Sequence, residues 1–174
     1  LSKQADMITE WFPETQKVGL LFCSAEPNSR YQIDEVRKAL EAQGVTCEEF
    51  AFTDSNDVSS VTQKAADFSD VVYIPTDNTA ASCTEAISNV ADPAGVPIVT
   101  GEEGICKGCG IATLSINYYD LGVTTGKMAA KILTGEADIS TMPIEFTTAT
   151  PKYNASMCET LGITPLEGYT AIAE

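Results

Sequence analysis

The strongest constraint on this chain is an apolar run of strand length, Lys17 to Cys23 (KVGLLFC), with no polar residue after its first position. Such a run fits a strand buried on both faces, because a half-exposed strand alternates apolar with polar residues. The run is flanked by helical patterns. Before it, Gln4 to Phe12 reads as a short amphipathic helix stopped by Pro13. After it, the turn Ser24 to Ser29 leads into a helix through about Gln43, with Ile33, Val36 and Leu40 on one face and Gly44 at its end.

The same alternation continues along the sequence. Val45 to Phe52 is a second strand, and Asp54 to Asp57 offers N-caps for a helix over Val58 to Phe68. Asp70 to Pro75 is a third strand, followed by Thr76 to Thr79 and a helix to about Ala91. Val96 to Thr100 is a fourth strand, Gly101 to Gly110 a glycine-rich loop, and Ile111 to Ile116 a fifth strand. Asn117 to Leu133 is a helix closed by Gly135, Pro143 to Thr148 a short strand, and Lys152 to Leu161 a last helix. Strands separated by single helices imply right-handed crossovers, hence a three-layer, doubly wound parallel α/β sheet. With 174 residues there is room for one well-packed domain. No internal repeat is visible; the one composition shift, Gly135 to Thr150, reads as a linker or crossover.

Charge and composition remove several function classes. Ten basic against 25 acidic residues give a net charge of −15, which repels nucleic acid and anionic membranes. The chain has no histidine, so Ser-His and Cys-His catalytic pairs and imidazole metal ligands are excluded. No stretch approaches the roughly 18 consecutive apolar residues of a membrane span. The start, Leu1-Ser2-Lys3-Gln4, has no initiator Met or signal-peptide pattern, as expected of a piece of something longer. Of the six cysteines, Cys23 and Cys47 sit in apolar strand runs, where cysteine acts as a small hydrophobe. Cys106 and Cys109 form the only tight pair, expected in a loop because of Gly108 and Gly110; no second pair completes a zinc site. GxGxxG, GxxxxGK[ST] and GxSxG are all missing, so no cofactor and no catalytic machinery is expected.

Ligands of open parallel sheets bind beyond the carboxyl ends of the strands. Three loops lie there: Ser24-Ala25-Glu26-Pro27-Asn28-Ser29, Thr76-Asp77-Asn78-Thr79 and Gly101-Glu102-Glu103-Gly104. All three are rich in short hydrogen-bonding side chains, and two lead into helix N-termini, where N–H groups hold carboxylates. Asp77, Glu102 or Glu103 can accept from an ammonium group, so the edge suits a zwitterion such as an amino acid. The same residues also serve simply as N-caps and turn formers.

The run Tyr73-Ile74-Pro75-Thr76-Asp77-Asn78-Thr79, then Val96-Pro97-Ile98-Val99 and Gly101 to Gly104, resembles the substrate-binding proteins of ABC transporters. So do Glu26-Pro27-Asn28-Ser29 and the segment Ala112 to Gly122, with its helix ending in Lys131 to Glu136. The branch is the tryptophan- and tyrosine-associated one, of type I periplasmic binding protein fold. The resemblance implies two α/β lobes joined by a hinge, with the ligand between them. Residues 1–110 would be the second lobe, 111–150 a crossover packing on an absent first lobe, and 151–174 the returning helix and tail. It implies ligand contacts from Ser24, Asn28, Ser29, Thr76, Asp77, Asn78, Thr79 and Glu102. Within that set Asp77 takes the ammonium, and Asn28 with Ser29 bonds the ligand's polar end. It also implies permease subunits as partners and an extracytoplasmic, lipid-anchored full-length protein, while charge and composition leave no metal and no nucleic acid expected. Without a first lobe, the helix 117–133 leaves Leu121, Met128 and Ile132 seeking cover, by folding back or by sharing with a second copy.

Two other roles suit the same fold. One is the ligand-sensing domain of a lac-repressor-type regulator or of a receptor. The other is an enzyme on a Rossmann-like or flavodoxin-like scaffold, which needs a cofactor site that the sequence does not display.

Overall fold

The computed structural model describes residues 1–173. In chain order its elements are α1 (Ser2–Trp11), β1 (Lys17–Cys23), α2 (Pro27–Ala42), β2 (Thr46–Phe52), α3 (Val58–Phe68) and β3 (Val71–Ile74). They continue with α4 (Asn78–Ala81), α5 (Thr84–Ala94), β4 (Ile98–Thr100), α6 (Glu103–Cys109), β5 (Ala112–Ser115) and α7 (Tyr118–Leu133). β6 (Thr150–Tyr153), α8 (Ala155–Leu161) and β7 (Thr170–Ala171) complete the order. The strands form one sheet in the order β2-β1-β3-β4-β5-β6-β7. β1 pairs in parallel with β2 and with β3, as do β3 with β4, β4 with β5, and β6 with β7.

The apolar strands are buried on both sides, in strict alternation. Val18, Leu20 and Phe22 of β1, and Val71 and Tyr73 of β3, join a core with Ile8 of α1 and Ile33, Val36 and Leu40 of α2. Leu21 and Cys23, Val72 and Ile74 point the other way, into a core with Val58 of α3, Ile87 of α5 and Ile105 of α6. The period of two along a strand delivers one side chain to each helical layer. This is the doubly wound arrangement expected from the sequence.

Four local expectations change. The glycine-rich stretch 101–110 contains a helix, α6, because the Glu102 carboxylate caps it by accepting from Gly104 N and Ile105 N. Cys106 and Cys109 therefore lie on the buried face of a helix, not in a loop. The helix after Thr79 is broken into α4 and α5 at Ser82 and Cys83, and ends at Gly95 in a left-handed turn with φ of 69°. No strand forms over 143–148; pairing begins at Thr150, so the last helix starts at Ala155 instead of Lys152. The two-residue strand β7 was not anticipated.

The chain divides into two compact units: residues 1–114 with the segment from Pro151 onward, and Ser115–Thr150. The first carries both cores. The second consists of α7 and its following segment, tied by the Lys131–Glu145 ion pair at 3.5 Å. None of the 16 residues of α7 is fully buried. Leu121, Met128 and Ile132 are half-buried, while Leu133, Ile144 and Phe146 are exposed. Among the described residues, no helix is long and apolar enough to cross a membrane.

Candidate functional site

The strand order reverses at β1: β2 lies on one side of it and β3 on the other. Chains leaving the carboxyl ends of β1 and β3 therefore part toward opposite layers, and the crevice between them is the usual ligand position in such sheets. The segments there are 24–29 and 75–79. The residues expected to bind ligand sit on these two segments, with Glu102 after β4.

The two segments are stitched together by hydrogen bonds spanning about fifty residues of sequence. Glu26 is the centre of this connection. Its Oε2 accepts from the backbone N and side-chain Nδ2 of Asn78, both at 3.0 Å. Its Oε1 accepts from the N of Thr79 at 2.8 Å and from Thr79 Oγ1 at 2.7 Å. Burial works to raise the Glu26 pKa, but these bonds, with one from Asn28, outweigh it and hold the group at about 2. A second cross-link comes from α2. The Gln32 amide pairs with the backbone of Thr76, donating to its O at 3.1 Å and accepting from its N at 3.0 Å. Asn28 Nδ2 donates to the same Thr76 carbonyl at 3.0 Å.

Asp77 has a different task from the ammonium acceptor expected of it. It is 1% exposed. Its Oδ2 accepts from Cys23 N at 2.7 Å, and its Oδ1 caps α4 by accepting from Ala80 N at 2.8 Å. With both oxygens satisfied by backbone and no access to solvent, it holds the β3 loop against the end of β1. The Glu102 carboxylate is likewise committed to capping α6. Ser24 is exposed and donates to Phe52 O at 3.1 Å. Ser29 is fully buried, and its hydroxyl has no hydrogen-bond partner among the described residues. Thr76 is half-buried and donates to Gly101 O at 3.3 Å. Asn28 and Asn78 are exposed and Thr79 is half-buried. The structure thus brings Asn28, Thr76, Asn78 and Thr79 together at one crevice and withdraws Asp77 and Ser29 into its wall.

A further polar group props the adjoining loop. Tyr73 Oη donates to Gln4 Oε1 at 2.5 Å, and Gln4 Nε2 donates to Gly101 O at 3.3 Å. Gly101 sits so close to the β3 loop that a Cβ there would lie 2.7 Å from Thr76 N and 2.9 Å from Pro75 C. Sequence reading missed Gln4, Glu26, Gln32 and Tyr73 as contributors. The one usable signal was Gln32, four residues after Asn28 and so on the same face of α2.

The close pair Cys106 and Cys109 offers no reactive centre in this geometry. All six are free, and burial pushes the Cys106 thiol up to about 12 and raises Cys109 further. A thiol so placed stays protonated and unreactive. Among the described residues, no three cysteine or carboxylate groups converge as a metal site would require.

The sequence matches the family described as ABC transporter substrate binding protein over residues 1–173. The chain belongs to that family. Solved relatives include the ABC domain in complex with L-Trp from Streptococcus pneumoniae, at 29% identity and a TM-score of 0.87, covering 98% of this chain and 60% of that one. Another is a ligand-free, open substrate binding protein with adhesive properties from Clostridium difficile, at 28% identity and a TM-score of 0.82, covering 99% and 59%. A curated relative, the tyrosine-binding protein of Clostridioides difficile (strain R20291), is 27% identical over 137 residues, 79% of this chain and 40% of the relative. The chain therefore spans well under two thirds of the length of these relatives. Its fold is that of type I periplasmic binding proteins, and solute binding without catalysis is the activity of its family.

Proposed function

We propose that this chain is one lobe of the extracytoplasmic solute-binding component of an ABC importer, and that its ligand is an amino acid with an aromatic side chain. The observation that carries this reading is the crevice at the β1–β3 reversal, where Asn28, Thr76, Asn78 and Thr79 meet on two cross-linked loops. The relatives that bind L-Trp and tyrosine support the ligand class. The length of those relatives that this chain does not span would supply the facing lobe, and with it the cover for Leu133, Ile144 and Phe146.

No bond is made or broken in this scheme. A ligand touching both lobes favours the closed form, and permease subunits read that form. The full-length protein would be held outside the membrane by a lipid anchor. If two lobes share an interaction of about −8 kcal/mol, either one alone binds near the millimolar range instead of the micromolar. Titrating the 15N-labelled chain with L-tryptophan should therefore give saturable, near-millimolar shifts of the amides at 24–29 and 76–79. Absence of any response there at tens of millimolar overturns the reading.

A further inference from the structure

The donors and acceptors around the crevice are occupied unequally: its donors are taken and two amide acceptors are not. The N–H groups of Asn78 and Thr79, the Thr79 hydroxyl and the Asn78 amide NH2 are the donors a ligand carboxylate would seek. All four already bond the Glu26 carboxylate. A carboxylate has about four lone-pair sites, so these four bonds, with the further contact from Asn28, leave Glu26 no spare capacity. The amides of Asn28 and Asn78 must also point their NH2 ends inward, because Thr76 O and Glu26 Oε2 only accept. Their oxygens have no protein donor among the described residues, and both side chains are exposed. The basic residues of neighbouring elements are committed: Arg30 to Asp34 at 3.4 Å and Glu49 at 2.8 Å, Lys152 to Glu103 at 2.6 Å.

We propose that Glu26 is the positioning residue that determines which end of a zwitterionic ligand this lobe accepts. It keeps the donors of the β3 loop for itself and leaves the amide oxygens of Asn28 and Asn78 to take the ligand's ammonium group. The ligand carboxylate is then bound outside this lobe. This rests on the amino-acid reading above. It departs from the expectation that Asp77 takes the ammonium group, since both Asp77 oxygens are bonded to backbone N–H groups within the crevice wall. The pKa of about 2 keeps Glu26 ionised, and its donors occupied, throughout the physiological range.

The test compares L-tryptophan, tryptamine and indole-3-propionate, which carry both charged ends, only the ammonium and only the carboxylate. Amide shifts of the labelled chain are followed in each titration. Tryptamine should bind within about threefold of L-tryptophan, and indole-3-propionate about tenfold or more weakly. Glu26→Gln frees donors and removes the neighbouring charge. It should move the tryptamine to indole-3-propionate affinity ratio about tenfold toward the propionate. Thr79→Val removes one of the four bonds and should move the ratio the same way by less, which keeps the test decisive if the Glu26 variant fails to fold. A residue that merely stabilises the loop would weaken both analogues alike. Equal weakening, an unchanged ratio, or a wild-type preference for the propionate each overturns the role of Glu26 while the amino-acid reading stands. Failure of L-tryptophan itself to bind removes both.

Discussion

α2 and α7 are helices of the same length, 16 residues each, and differ in almost everything that surrounds them. α2 buries Ser29, Ile33, Val36 and Leu40 against the sheet and sends Asn28 and Gln32 to the crevice. α7 buries no residue fully and carries Gly122 and Gly126, where an added Cβ would meet nothing within 4 Å. An amphipathic pattern is enough to specify a helix, but only a partner surface turns it into stability. The unit around β1 and β3 is fixed by packing and buried hydrogen bonds, whereas Ser115–Thr150 holds its helix largely through local bonds and caps such as Asn117.

The largest expected break in that contrast is Asp77→Ala. It strips the partners from Cys23 N and Ala80 N inside a buried loop, at about 1–3 kcal/mol for each orphaned group. Chemical denaturation should place the loss near the upper end of that summed range; a loss below about 1 kcal/mol contradicts the structural task assigned to Asp77.

A paired glycine experiment is next in size. Gly101→Ala must push the Pro75–Thr76 backbone aside, costing about 1–3 kcal/mol. Gly122→Ala in open space should instead stabilise α7 by about 0.5–1 kcal/mol, through helix propensity alone. Thermal melts reporting the same sign for both would erase the difference between the two regions.

A separate test of the same unit is in acid. The Glu26 pKa falls from an ordinary 4.5 to about 2 on folding, so its contribution is fully present above pH 4.5 and is lost as pH drops toward 2. Stability measured across that window should be less steep in Glu26→Gln than in the wild type. Identical slopes would mean that the four bonds do not form as described.

Much of the architecture was legible because parallel strands covered on both faces leave unbroken apolar runs, as at Lys17–Cys23 and Val71–Ile74. What escaped were elements decided by partners. α6 forms despite Gly104 and Gly108, since a glycine costs only about 1 kcal/mol in a helix and three buried side chains, Ile105, Cys106 and Cys109, outweigh it. The alternating Ile144-Glu145-Phe146 has the period of a strand but no neighbour to pair with, and both apolar side chains stay exposed. The crevice followed from where strands end. The division of its residues did not, because a Glu26–Asn78 bond across 52 positions leaves no periodic trace.

The six unbridged cysteines also make the molecule a recorder of its own breathing. Cys158 sits in one core, Cys23, Cys83 and Cys109 in the other, and only Cys47 is half-exposed. An alkylating reagent reaches each sulfur only when its own layer opens. The order in which the remaining five acquire label therefore ranks the layers by how readily they come apart, with no substitution introduced.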